Sequence, residues 1–239
     1  MARQKGIIKL SGTIGDINFY TAKGKNYARK AGGGFNGKAI KTKESMQRVR
    51  ENGSEFGHCS RVKRKLLEAF RPYVVKRERG FHGKCMSLFL NLKNLDEDSL
   101  RGHRKVEKGL QTTEGRRNFR DFPFGKPLEI LDVMAYRWHF DEMEQRLAFP
   151  SFNQLQYDDL TAVTEIKISL YLLDFNFGKL ELEKHLLDEK IVLVQEQNPE
   201  VVLFPASLIP INNTPIYYVG MELINGSEGR DNVMGMRVV

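Results

Sequence analysis

Cysteine is scarce: Cys59 and Cys85 are the only two in 239 residues. That count rules out a disulfide framework and leads us to expect a reducing, cytoplasmic setting. Long apolar runs are missing as well. No stretch reaches the roughly 18 consecutive apolar residues of a membrane-spanning helix, so no membrane association is expected. Met1-Ala2-Arg3-Gln4-Lys5-Gly6 is not followed by an apolar run of signal-peptide length. The familiar catalytic signatures are missing too: no nucleophile elbow, metalloprotease helix motif or dinucleotide fingerprint occurs. Gly32-Gly33-Gly34 lacks the following Gly-Lys-Ser/Thr of a phosphate loop and reads as a flexible connection. The expectation is therefore a non-enzymatic protein with no catalytic residue, cofactor or metal.

Charge is plentiful and uneven. Hydrophobic residues make up 41% and charged residues 28%, which is ordinary for a globular chain and argues against wholesale disorder. The net charge is +8 and the pI about 9.4. Residues 1–120 hold 29 Lys and Arg against 11 Asp and Glu, or +18, whereas residues 121–239 hold 9 against 19, or −10. Such asymmetry points to a basic interaction surface with nucleic acid or another polyanion as partner. The plain alternative is that acidic and basic halves screen one another, within a molecule or between copies. Screening would require adjacency, because exposed charges act over only about 8 Å at physiological salt.

The period of the apolar residues changes along the chain. Ile7, Ile8, Leu10, Ile14, Ile17, Phe19 and Tyr20 read as strands broken at Gly12 and Gly15, and a turn at Ala22-Lys23-Gly24-Lys25 returns the chain through residues 26–31. From Thr42 the spacing is helical, with Met46, Val49, Phe56, Cys59, Val62, Leu66 and Phe70 at intervals of 3, 4 or 7. Asn52-Gly53 predicts a kink or break in that helix, and Pro72 ends it. Residues 85–95 read as a second helix and residues 114–119 as a short one. After Pro127 the pattern is β again, with candidate strands at 129–139, 165–175, 179–184, 190–195, 216–224 and 233–239. Turn residues between short strands suggest an antiparallel sandwich or barrel.

Opposite the apolar helical stripe lie Arg48, Arg50, Arg61, Lys63, Arg64 and Lys65, with Lys41 and Lys43 leading in. A cationic helix face of this kind can neutralise phosphates in a salt-dependent way. Tyr20, Tyr27 and Phe35 sit among the lysines of the hairpin and are candidates to stack on bases. A solvated helix face and core-packed aromatics are the plain alternative. No helix-turn-helix, zinc-finger or other named recognition signature is present, so sequence specificity has no support. His58-Cys59 with His82-x-x-Cys85 offers zinc-type ligands at the wrong spacing, and Cys59 falls on the apolar stripe; buried structural cysteine is the expectation. Glu165-Ile166-Lys167, with Asp158 and Asp159 upstream, loosely matches a metal-dependent nuclease core, but strand alternation alone produces the same string.

The opening of the chain carries a pattern. Gly6-Ile7-Ile8-Lys9-Leu10-Ser11-Gly12-Thr13-Ile14-Gly15-Asp16-Ile17-Asn18-Phe19-Tyr20 is followed by Tyr27-Ala28-Arg29, Gln47-Arg48-Val49-Arg50-Glu51-Asn52, Glu55-Phe56-Gly57, Lys65-Leu66-Leu67 and Arg71-Pro72. This order of motifs resembles a family of basic proteins common in Bacteroidetes genomes. The likeness spans roughly the first 75 residues, with echoes at Arg101-Gly102, Gly115 and Phe119 and a departure at residues 79–85. No activity is assigned to that family, so the resemblance implies architecture alone: a head of shared pattern followed by a variable β domain. The expected fold is α+β, with a basic hairpin-plus-helix region over 1–125 and an acidic, sandwich-like antiparallel domain over 126–239. Two functions stay open at this point. One is a nucleic-acid or polyanion binder acting through the basic region. The other is a self-assembling structural subunit, of mobile-element or secretion-apparatus type, whose basic heads meet the acidic tails of neighbouring copies in a homo-oligomer.

Overall fold

The computed structural model describes residues 2–4, 8–32, 37–74, 80–125, 137–150, 163–194, 200–225 and 233–239. The chain forms two compact units, Met1–Arg50 and Glu51–Val239. The fold is α+β throughout, as expected.

The first unit is an antiparallel sheet with a short helical tail. Strands β1 (Ala2–Arg3), β2 (Gly12–Ile14), β3 (Ile17–Ala22) and β4 (Lys25–Lys30) stand in the order β1-β4-β3-β2. Lys23 and Gly24 both take positive φ, 50° and 71°, which is what a two-residue turn needs to match the twist of the strands it joins. That turn sets the register Ala22↔Lys25, Tyr20↔Tyr27 and Asn18↔Arg29. Helix α1 (Gly37–Thr42) and a 3-10 turn (Glu44–Met46) follow. No described side chain of this unit is buried. Ile14 and Ile17 are 60% and 46% exposed, and the described residues of this unit form no hydrophobic core.

The second unit is layered. Helix α2 (Gln47–Ala69), whose residues 47–50 belong to the first unit, α3 (Phe81–Asn94), α4 (Val106–Gln111) and α5 (Thr113–Arg120) precede strands β5 (His139–Asp141), β6 (Arg146–Pro150), β7 (Val163–Asn176), β8 (Glu181–Leu193), β9 (Glu200–Leu203), β10 (Thr214–Asn225) and β11 (Val233–Val238). The strands build a four-stranded sheet, β11-β10-β7-β8, and a three-stranded sheet, β5-β6-β9, both antiparallel. Alternation sends Ile166, Ile168, Leu170 and Leu172 of β7, with Tyr217, Val219, Met221 and Leu223 of β10, against Leu147, Phe149, Val201 and Leu203 of the smaller sheet. The opposite face presents Leu173, Phe175, Ile216, Tyr218, Met236 and Val238 to Cys59, Leu66, Phe70, Phe89 and Phe119 of the helices. β7 and β10 are thus covered on both faces, which is why they read as nearly continuous apolar runs.

Three local expectations change. α2 runs unbroken through Asn52-Gly53; an interior glycine costs about 1 kcal/mol, too little to break a helix packed over this length. Phe56 is exposed, and Glu55 and His58 are buried instead. Glu55 precedes Cys59, Val62 and Leu66 by 4, 7 and 11 positions and so shares their face. The two strands predicted over 179–195 are one, β8, carrying a bulge at Leu187 between the pairs Tyr171↔Leu186 and Leu170↔Asp188. The strand predicted at 129–139 falls mostly outside the described residues, apart from the start of β5.

Candidate polyanion interface

The charge split follows the two compact units. Residues 1–50 hold 12 Lys and Arg against two acids, Asp16 and Glu44, for a net +10. Residues 51–239 hold 26 against 28, for −2. The excess positive charge of the chain therefore belongs to the N-terminal unit, and its eleven described cations are all exposed. Two carboxylates cannot neutralise that charge within the unit.

The register sorts the sheet into two dissimilar faces, because alternate side chains point to opposite sides and directly paired residues share one. One face carries Arg3, Thr13, Asn18, Tyr20, Lys25, Tyr27 and Arg29. The other carries Ile14, Ile17, Phe19 and Ala28 with Thr21, Asn26 and Lys30. On the polar face Tyr20 and Tyr27 stack at 5.7 Å between ring centroids with 25° between planes. The Arg29 guanidinium lies over the Tyr20 ring, 5.4 Å from its centroid. Asn18 Nδ2 donates to Thr13 Oγ1 at 3.1 Å. Along β4 the sequence Lys25-x-Tyr27-x-Arg29 places a cation on either side of the aromatic pair, and Arg3 pairs with Tyr27 from β1. None of the described residues on this face is acidic.

Of the residues singled out from sequence, Tyr20, Tyr27, Lys41, Lys43, Arg48 and Arg50 lie in the first unit, and Arg61, Lys63, Arg64 and Lys65 in the second. Lys41 is in the last turn of α1 and Lys43 just beyond it, both exposed. Arg50 is exposed yet engaged: its Nη1 donates to Ile40 O at 2.6 Å and to Lys43 O at 2.9 Å, satisfying carbonyls at the end of α1. Arg48 is exposed near the start of α2. Arg61, Arg64 and Lys65 follow one another at helical spacing on the solvent side of α2, while Lys63 is half-buried at its flank. Phe35 lies outside the described residues. Arg3, Lys25 and Arg29 were not singled out, although the two-residue turn and strand parity already place Lys25 and Arg29 on the face of Tyr20 and Tyr27.

The other titratable clusters are structural in form. Glu55 is 2% exposed. It takes the ammonium of buried Lys93, the Nε and Nη2 of Arg104 at 2.8 Å each, and the N–H of Gly102 at 2.7 Å. The Arg104 guanidinium, helped by Lys93 and Gly102, holds this carboxyl down at about 2 against the opposing effect of burial. His58 accepts from Val106 N at 3.2 Å; burial, with Lys105 and Arg61 nearby, lowers it to about 4. Burial pushes the Cys59 thiol up to about 11, and its Sγ donates to Phe89 O at 3.4 Å. Cys85 is buried and His82 exposed, and among the described residues no three His, Cys, Asp or Glu side chains converge as a metal would require. Lys167 pairs with Glu189 at 2.9 Å rather than with Glu165, and Asp158 and Asp159 lie outside the described residues. None of the described helices is long and apolar enough to cross a membrane.

No protein-family model, curated protein or solved structure shows significant similarity to the chain.

Proposed function

We propose that this protein is a non-enzymatic binder of polyanions, nucleic acid foremost, acting through the N-terminal unit. The observation that carries the reading is the concentration of a net +10 in residues 1–50, with every described cation exposed and an acid-free sheet face among them. A charge density of this kind attracts a phosphate backbone and releases its counterions on contact. Lys41, Lys43 and Arg48 add to the field of this unit. Arg61, Arg64 and Lys65 are an additional cationic strip on α2.

Fluorescence anisotropy of a labelled oligonucleotide with the full chain tests this. Binding should weaken as salt rises, with log K falling linearly in log salt by about 0.7–0.9 per phosphate neutralised. Charge reversal at Lys25 and Arg29 should flatten that slope by about 1–2. No binding at low ionic strength, or binding insensitive to salt, would remove the proposal.

A second reading, self-assembly of copies, is favoured by the opposite signs of residues 1–50 and 121–239 and by exposed Ile14, Ile17, Leu186 and Ile191. Light scattering across concentration and salt tests it; a monomer under every condition eliminates it.

A further inference from the structure

We infer that the polar face of the N-terminal sheet is a stacking platform that selects single-stranded nucleic acid over duplex; this rests on the polyanion reading above and narrows it. Charge alone does not discriminate among phosphate polymers. The arrangement of Tyr20, Tyr27 and Arg29 does.

Three features decide the class. The aromatic pair sits half-buried on the polar face of the sheet, at a directly opposed cross-strand position, with rings stacked 5.7 Å apart. An unpaired base has a π-face free to extend that stack, whereas duplex bases are stacked on their own neighbours and offer only edges in the grooves. Next, Lys25 and Arg29 flank Tyr27 at alternate positions of β4, and Arg3 lies opposite it on β1. Cations on both sides of a stacking centre track a backbone that passes over it. Finally, β1 and β2 border the hairpin on its two edges. The β3–β4 pair is therefore not an isolated two-stranded ribbon, the β form that enters a major groove. Arg29 over Tyr20 contributes a second planar surface on which a base can lie.

The test compares three probes on the full chain at matched salt: an oligothymidylate of roughly 16 nucleotides, the same strand annealed to oligoadenylate, and heparin. The single strand should bind tightest. Tyr20→Leu with Tyr27→Leu should weaken it by about 5- to 100-fold, leave duplex and heparin binding within about twofold, and leave the salt slope unchanged; Tyr20→Phe with Tyr27→Phe should keep the wild-type affinity. Should the leucine pair prove misfolded by circular dichroism, photocrosslinking of 5-iodouracil-substituted strand to the wild-type chain replaces it, with Tyr20 or Tyr27 as the expected adduct. Equal affinity for all three probes, or crosslinks confined to residues 51–239, overturns the single-strand inference and leaves the polyanion reading standing. Failure of every probe to bind at low salt overturns both.

Discussion

Replacing Glu55 by glutamine removes one negative charge from the interior of the helical layer and leaves the Lys93 ammonium, itself buried, with no counter-charge. Glutamine keeps one acceptor oxygen but must turn an NH2 group toward either Lys93 or Arg104, both of which are donors only. Breaking a buried ion pair from one side costs about 3–5 kcal/mol, a large share of the roughly 5–15 kcal/mol by which domains are stable. The depressed carboxyl of Glu55 is of the same scale. Its carboxyl is lowered from 4.5 to about 2, which corresponds to about 3 kcal/mol of coupling to the folded state. For an acid whose folded pKa is depressed, that stability is fully present above 4.5 and is lost as pH falls toward about 2. Urea unfolding of the full chain followed by circular dichroism measures both effects. Glu55→Gln should lower the midpoint by the equivalent of about 3–5 kcal/mol at neutral pH and blunt the loss of stability between pH 4.5 and 2. Adding Lys93→Met should recover at least about half, since it removes the buried ammonium and leaves only the partly exposed Arg104 guanidinium without its carboxylate. A loss below about 1 kcal/mol, or no recovery in the double variant, would show that the carboxylate does not hold the helices to the Gly102–Arg104 segment.

The remaining predictions concern the same unit. His58 is lowered from 6.5 to about 4, so the unfolded chain binds its proton first; stability is full above 6.5 and should fall by roughly 3 kcal/mol as pH drops to about 4, a slope that His58→Asn removes in pH-dependent unfolding. A Cβ at Gly220 would collide with the ring of Tyr73, so Gly220→Ala should cost about 1–3 kcal/mol, read as a shift in thermal midpoint. Cys59, buried and with its thiol pushed up to about 11, should react with a thiol reagent only on a timescale set by unfolding, monitored by the rate of label uptake against urea.

Several elements were legible in the order of residues because their causes are local. Lys23-Gly24 set a turn, and the turn set the pairing of Tyr20 with Tyr27. The apolar runs at 165–175 and 216–224 predicted β7 and β10, and Thr112, whose hydroxyl accepts from Gly115 N at 2.9 Å, opens the short helix expected near residue 114. β8 was misread as two strands because its bulge at Leu187 reverses the alternation midway, and a parity rule applied to one strand cannot see a residue displaced by its neighbour. Glu55 was passed over for a related reason. Its partners lie 38 to 49 positions away, and at the level of one helix a carboxylate among apolar residues reads as a flaw in the stripe.

Spacing and composition along the chain were enough to establish an α+β protein with its cations toward the amino end, since strand parity, helix period and residue charge are properties of short segments. Which charges are presented and which are buried was settled only by folding. Tertiary packing drew Glu55, Lys93 and Arg104 together out of water, where their mutual attraction must offset lost hydration. It also divided the chain at Arg50, leaving the described residues before that point without a buried side chain and residues 1–50 with a net charge of +10. Burial depends on neighbours distant in sequence, and no local pattern records them.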